Sequence, residues 1–276
     1  MEGFVMEFLL ACYTNKGRIK EVNQDALLIN RERHRGKEAV LAVICDGMGG
    51  LECGETASAE VIRAFDLWFR EDFQDLADQE EFEDELYDSW EMLFQKVHQK
   101  IREYGRIRGI RIGTTATAML LWEERFYIAH VGDCRIYEIK EQIRQLTRDQ
   151  VQGELRRRDG EPGTAGVKAG EHILLQGVGA SQTLRPAYHS EDVKDEAVYL
   201  LCTDGFRHKV SEQELREAFA PEEMVDEKVM RSRGGRIAEV VMERGERDNL
   251  SVILLRSMKG MGEKGRETHT GLDRDK

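Results

Sequence analysis

Proline is almost missing from this chain, at 3 in 276 residues. Few hard breaks exist, and a proline- or serine-rich linker between domains is excluded. No internal repeat is present. Cysteine is scarce too: Cys12, Cys45, Cys53, Cys134 and Cys202. None forms a C-x-x-C pair, which excludes zinc ribbons and dithiol redox motifs. An odd count without framework spacing fits a reducing compartment, and a cytoplasmic location is expected. No apolar run approaches membrane-spanning length, so no membrane association is expected. Met1-Glu2-Gly3 lacks a basic stretch ahead of an apolar one, so a secretory signal is not expected either. Positive charge is in deficit: 41 Lys+Arg against 53 Asp+Glu, a net charge of -12. That balance disfavours nucleic-acid partners. No G-x-x-x-x-G-K-[ST] loop occurs; Gly260 to Gly265 has the spacing but continues Arg-Glu.

What is present is a recurring pattern. Leu41–Cys45 is an apolar run that ends in Asp46-Gly47-Met48-Gly49-Gly50. Such a run reads as a buried strand, and an aspartate at its tip leaves the core. A carboxylate beside a flexible, carbonyl-rich turn suits a hard cation. The pattern recurs at Phe126–Val131 before Gly132-Asp133 and at Val198–Cys202 before Thr203-Asp204-Gly205. In reverse order, Asp248-Asn249 precedes Leu250–Leu255, and Asn23-Gln24-Asp25 precedes Ala26–Ile29. One such aspartate is an ordinary turn residue. Five converging would repel, by roughly 3 kcal/mol per pair at ~5 Å and an effective dielectric near 20. A divalent cation resolves that repulsion; otherwise the cluster takes up protons.

Strands are predicted at Phe8–Thr14, Ala26–Asn30, Val40–Cys45, Thr115–Trp122, Phe126–Val131, Arg135–Ile139, Val198–Cys202 and Leu250–Leu255. Helices are predicted at Gly54–Phe73 and Glu81–Arg106, the second with Phe82, Leu86, Trp90, Leu93, Val97 and Ile101 on one face. Ser211-Glu212-Gln213-Glu214 is a capping box that opens a third helix through Phe219. A fourth spans about 222–244, with Arg231–Arg236, Arg-Ser-Arg-Gly-Gly-Arg, expected to interrupt it. Helices are grouped rather than alternating with strands, which favours an α+β layered fold. One domain over residues 1–257 is expected, followed by a disordered charged tail at 258–276.

Asn23-Gln24-Asp25, Asp46-Gly47-Met48-Gly49-Gly50, Gly113-Thr114-Thr115, Val131-Gly132-Asp133-Cys134-Arg135, Leu146-Thr147-Arg148-Asp149, Thr203-Asp204-Gly205 and Arg247-Asp248-Asn249 stand in one order along the chain. Together they resemble the 2C-type metal-dependent Ser/Thr protein phosphatases, and the bacterial members in particular. The resemblance implies a four-layer α-β-β-α sandwich with two antiparallel sheets and metals at one end. It implies two Mn²⁺ or Mg²⁺ ions bridged by Asp46, with the Gly47 carbonyl, Asp204 and Asp248 completing the shell and Asp25 acting through water. A water between the ions would attack phosphorus directly, so no serine or cysteine nucleophile is needed. Substrates would be phosphorylated proteins, with a Ser/Thr kinase as the opposing partner. A weak third ion would involve Asp133.

The chain departs from the family pattern in three places. Lys20 stands where an arginine contacts phosphate, which supplies charge without a bidentate fork and implies weaker ester binding. Gln24 replaces a common glutamate. His208 stands where a second aspartate helps hold the third ion; imidazole would weaken that site or shift it toward Mn²⁺. These departures leave open a catalytically weak or inactive member that binds phosphoproteins. Gln150–Arg185, which holds Arg156, Arg157 and Arg158, is the least family-like stretch and covers the position of a substrate flap. His130 reads as a structural strand residue. A cysteine-based phosphatase is the remaining rival, because Cys12 and Arg18 have the C-x-x-x-x-x-R spacing.

Overall fold

The computed structural model describes residues 5–48, 53–154 and 173–260. One sheet holds β1 (Val5–Asn15), β10 (Leu250–Gly260), β9 (Val198–Cys202), β6 (Arg135–Ile139) and β7 (Ile143–Gln145), in that spatial order. The other holds β2 (Ala26–His34), β3 (Lys37–Cys45), β4 (Ala116–Trp122), β5 (Arg125–Val131) and β8 (Ala187–Asp192). All pairings are antiparallel. Strand periodicity sorts the core into layers. On β3, Val40, Ala42 and Ile44 face the other sheet and meet Phe8, Leu201 and Ile253. Ala39, Leu41, Val43 and Cys45 point the opposite way, onto helices.

Those helices are α1 (Gly54–Glu71), α2 (Phe73–Leu76) and α3 (Phe82–Arg108). The stripe read from sequence is the buried one: Leu86, Trp90, Val97 and Ile101 on α3 join Phe65, Trp68 and Phe69 on α1. The single helix expected over 54–73 breaks at Asp72, where Phe73 turns inward and its ring stacks on Phe69 at 5.0 Å. Across the molecule, α4 (Asp204–Arg207), α5 (Glu212–Ala218) and α6 (Glu227–Glu243) cover the first sheet. The α+β four-layer α-β-β-α sandwich is therefore as expected. The capping box forms as read, with Ser211 and Glu214 satisfying each other's backbone N–H groups.

Three expectations need correction. The Arg231–Arg236 stretch does not interrupt α6, which runs unbroken through Gly234 and Gly235. Both glycines are packing residues. A Cβ on Gly234 would lie 3.3 Å from Val252, and one on Gly235 would lie 3.2 Å from the Tyr13 ring. The helix cost of glycine is offset by close approach to the sheet. The last strand is also longer than expected and ends at Gly260, so Ser257 pairs with Phe8 rather than opening a tail. Finally, β7 and β8 carry no apolar signal. β7 is three residues of a hairpin, and β8 is an edge strand of Ala-Tyr-His-Ser-Glu-Asp paired only with β5.

Candidate metal centre

The register places all five aspartates at one end of the sandwich. Ala26 pairs with Cys45, so Asp25 and Asp46 lie just beyond the same rung. Ala116 pairs with Val131 at the corresponding end of β4 and β5, ahead of Asp133. In the other sheet Cys202 faces both Arg135 and Val252, which brings Asp204 and Asp248 to the matching edge. The two sheets are stitched there: the Thr203 hydroxyl donates to Asp25 Oδ2 at 3.1 Å.

Asp46 is held by its backbone. Its N–H donates to Thr115 Oγ1 at 2.8 Å, and its carbonyl accepts from the Thr115 N–H and the Thr114 hydroxyl, each at 2.8 Å. The Gly113-Thr114-Thr115 motif therefore aims the carboxylate. Gly47 follows because nothing larger fits: a Cβ would stand 2.6 Å from the Gln24 carbonyl and 2.7 Å from Gly54. Asn249 is a tie within the site that sequence reasoning did not single out. Its Oδ1 accepts from the Gln24 N–H at 2.9 Å, and its Nδ2 donates to the carbonyls of Lys16 (2.9 Å) and Val22 (3.1 Å). It ties the loop carrying Lys20 and Asp25 to the start of β10. Its place beside Asp248 in a motif was the available signal.

The electrostatics are those of mutually repelling acids. Burial raises the Asp46 carboxyl well above the ordinary range, and Asp25, Asp204, Asp133 and Asp248 raise it further. Asp25 is pushed up to about 7 by burial, against hydrogen bonds from Ser251 and Thr203, with Asp204 and Asp248 adding to the rise. Asp133 also reaches about 7, through burial and then Asp204. Among the described residues, no three His, Cys, Asp or Glu side chains form a ready chelate by position alone. The link among the five is the charge they share. The donor set fits a hard divalent ion, and two buried carboxylate oxygens, Asp25 Oδ1 and Asp204 Oδ1, have no hydrogen-bond partner.

Lys20 joins this cluster: its ammonium pairs with Asp248 Oδ1 at 2.8 Å. Burial works against its charge, yet Asp248, then Asp46 and Asp204, hold its pKa above the usual lysine value. His208, directly after α4, sits between Asp204 (3.6 Å) and Glu246 (3.8 Å). Beneath them lies an ion-pair network. Asp149 accepts two 2.8 Å bonds from Arg135, and Arg207 lies 3.4 Å away while also donating to the Asp133 carbonyl at 3.2 Å. His130 is structural, as expected. Its ring bonds to Thr117 and the Arg148 carbonyl, and burial lowers its pKa to about 4, so it stays neutral.

Cys12 lies within β1 opposite Ile253, not in a loop, and that removes the cysteine-nucleophile reading. Within the Gln150–Arg185 stretch, residues 155–172 lie outside the described residues, and Arg156, Arg157, Arg158 and His172 with them. The rest is built into the site's support. Val178 pairs with Thr114, which pairs with Gly47. Gln150 Oε1 accepts from the Gly132 N–H beside Asp133.

Residues 14–157 match the family described as protein phosphatase 2C. The Serine/threonine phosphatase stp of Listeria innocua is 27% identical over 268 residues, covering 92% of this chain and 97% of that protein. The Serine/threonine protein phosphatase PstP of Mycobacterium tuberculosis is 24% identical over 256 residues, 88% of this chain and 44% of that longer one. Among solved structures, Stp1 from Staphylococcus aureus superposes with a TM-score of 0.73 at 24% identity, covering 91% and 95% of the two chains. The PstP catalytic domain in complex with two manganese ions gives 0.72 at 22% identity, covering 93% and 100%. The family match and the named relatives together define the class, a protein phosphatase. The chain belongs to the protein phosphatase 2C family, and its enzyme class is protein-serine/threonine phosphatase.

Proposed function

We propose that this protein removes phosphate from phosphoserine and phosphothreonine in proteins and opposes a Ser/Thr kinase. Asp46, Asp204, Asp248 and the Gly47 carbonyl would hold two Mn²⁺ or Mg²⁺ ions, Asp25 would act through water, and Asp133 with His208 would frame a weaker third position. When bound, such ions supply a nucleophilic water near neutral pH and offset phosphoryl charge. The observation that supports the reading most is the pair of partnerless buried oxygens on Asp25 and Asp204, set in a repelling cluster.

The chain's own residues supply orientation. Thr114 and Thr115 fix the backbone of Asp46, so its carboxylate needs little reorganisation. Asn249 fixes the loop that presents Lys20. The Lys20 ammonium lies beside Asp248, where it can turn to an incoming phosphate oxygen. Met48 has no titratable group and cannot supply a proton to the leaving group. The test is hydrolysis of a phosphothreonine peptide with Mn²⁺, with and without chelator, for wild type and Asp46→Ala. Activity that needs metal and falls at least 100-fold in the variant is expected. Metal binding with no turnover in the wild type would favour the inactive, phosphoprotein-binding alternative.

A further inference from the structure

The chain is acidic overall, yet residues 102–111 hold Arg102, Arg106, Arg108 and Arg111 against a single Glu103. This is the end of α3 and the turn beyond it. A cavity of about 200 Å³ opens there, lined in part by Arg102, Gly105, Arg106, Arg111, Gly179 and Ala180. Its charge is available. Arg102 donates to a neutral acceptor, the Gln182 carbonyl, at 3.2 Å. Arg106 pairs with Glu103 on the open surface, a contact that a ligand carboxylate can replace at little cost. Among the described residues no ion pair reaches Arg111. Two of the last carbonyls of α3 are already engaged: Gly105 O accepts from the Ile110 N–H at 3.0 Å and Arg106 O from the Gly109 N–H at 3.4 Å, where Gly109 closes the helix.

The far wall of the cavity is fixed rather than loose. Gly179 has φ +85, and a Cβ there would stand 2.2 Å from Ile101. Its N–H donates to Nδ1 of the buried His98 at 2.9 Å, so that ring is neutral and clamps the loop. The same loop reaches the catalytic end. Val178 exchanges two backbone bonds with Thr114, whose hydroxyl holds the Asp46 carbonyl. Gly47, Thr114 and Val178 are successive bridge partners. Two strand spacings put Val178 about 10 Å from Gly47, and Gly179–Ala180 a few ångströms further. An extended peptide covers that distance in three to five residues at ~3.3 Å each.

We propose that this arginine-lined cavity docks acidic side chains of the phosphoprotein substrate, three to five positions from the phosphorylated residue. The proposal rests on the phosphatase reading above and adds a sequence preference to it. The test measures kcat/KM with Mn²⁺ on phosphothreonine peptides with Glu or Gln at positions three to five on either side. Wild type is expected to favour the acidic peptide about tenfold at low salt, with the preference fading at ~0.5 M salt. Arg102→Ala/Arg111→Ala is expected to abolish the preference, and Arg102→Lys/Arg111→Lys to restore most of it. Turnover of p-nitrophenyl phosphate, too small to span the two sites, is expected to be unchanged in both variants. Equal kcat/KM on the two peptides in wild type overturns the proposal. So does a preference that survives in the double alanine variant. Absence of metal-dependent turnover on every substrate, the small ester included, overturns the phosphatase reading itself.

Discussion

Replacing Asp149 by alanine strands two guanidinium groups. The Asp149 side chain is 10% exposed, Arg207 11% and Arg135 22%. Removing one partner of such a pair costs about 3–5 kcal/mol, because the charge left behind has no compensation. For a chain of this size that lowers Tm by roughly 5–9 °C. Asp149→Asn keeps an acceptor but loses the charge assistance of the two 2.8 Å bonds, and about 2 kcal/mol is expected. The pH dependence gives an independent check. Burial raises the Asp149 carboxyl, but Arg135 and Arg207 outweigh it, so the folded pKa lies below the ordinary 3.8. A depressed carboxylate contributes stability above its unfolded pKa and loses it as pH falls through the folded value. The gap between wild type and Asp149→Asn should therefore be full at pH 7 and close below about pH 4. Urea denaturation at several pH values, in constant Mn²⁺, reads both quantities. An Asp149→Ala cost under about 1 kcal/mol, or a gap that ignores pH, would refute the reasoning.

The remaining predictions concern the metal end. Asp25 titrates the opposite way: its folded pKa of about 7 means the metal-free protein loses stability as pH rises from 4 through 7. In chelator, Asp25→Asn should exceed wild type by about 2 kcal/mol at pH 8 and match it near pH 4; equal stability at both pH values would count against the repulsion. Asn249→Ala removes three side-chain hydrogen bonds and should cost about 2–4 kcal/mol in a thermal melt while raising the Mn²⁺ concentration for half-activation. Stability and activation unchanged from wild type would mean that the loop does not depend on it. His208→Asp should shift activation toward Mg²⁺ and lower metal, and superimposable metal titrations would remove His208 from the site.

Much of the site was legible because it is written locally. An apolar run ending in Asp46-Gly47 needs only strand periodicity and turn chemistry to be read as a strand tip with a carboxylate beyond it. The capping box at Ser211 and the buried stripe of α3 are legible for the same reason. Other features depend on residues far apart in the chain. Gly234 and Gly235 look like a helix break in sequence, and only Tyr13 and Val252 packed against them make them helix residues. The edge strand β8 has no apolar pattern to read, because one side of it faces solvent.

The local pattern alone determined that five aspartates sit at strand ends, and joined to the family motifs it determined the four-layer class. Their meeting was decided by pairing register and by the stacking of two sheets, which bring Asp25 to Thr203 across 178 positions of sequence. The same is true of the basic cavity, where α3 meets a loop some 70 residues later. Charge repulsion and attraction depend on distance in space, and spacing along the chain does not report that distance until the chain is folded.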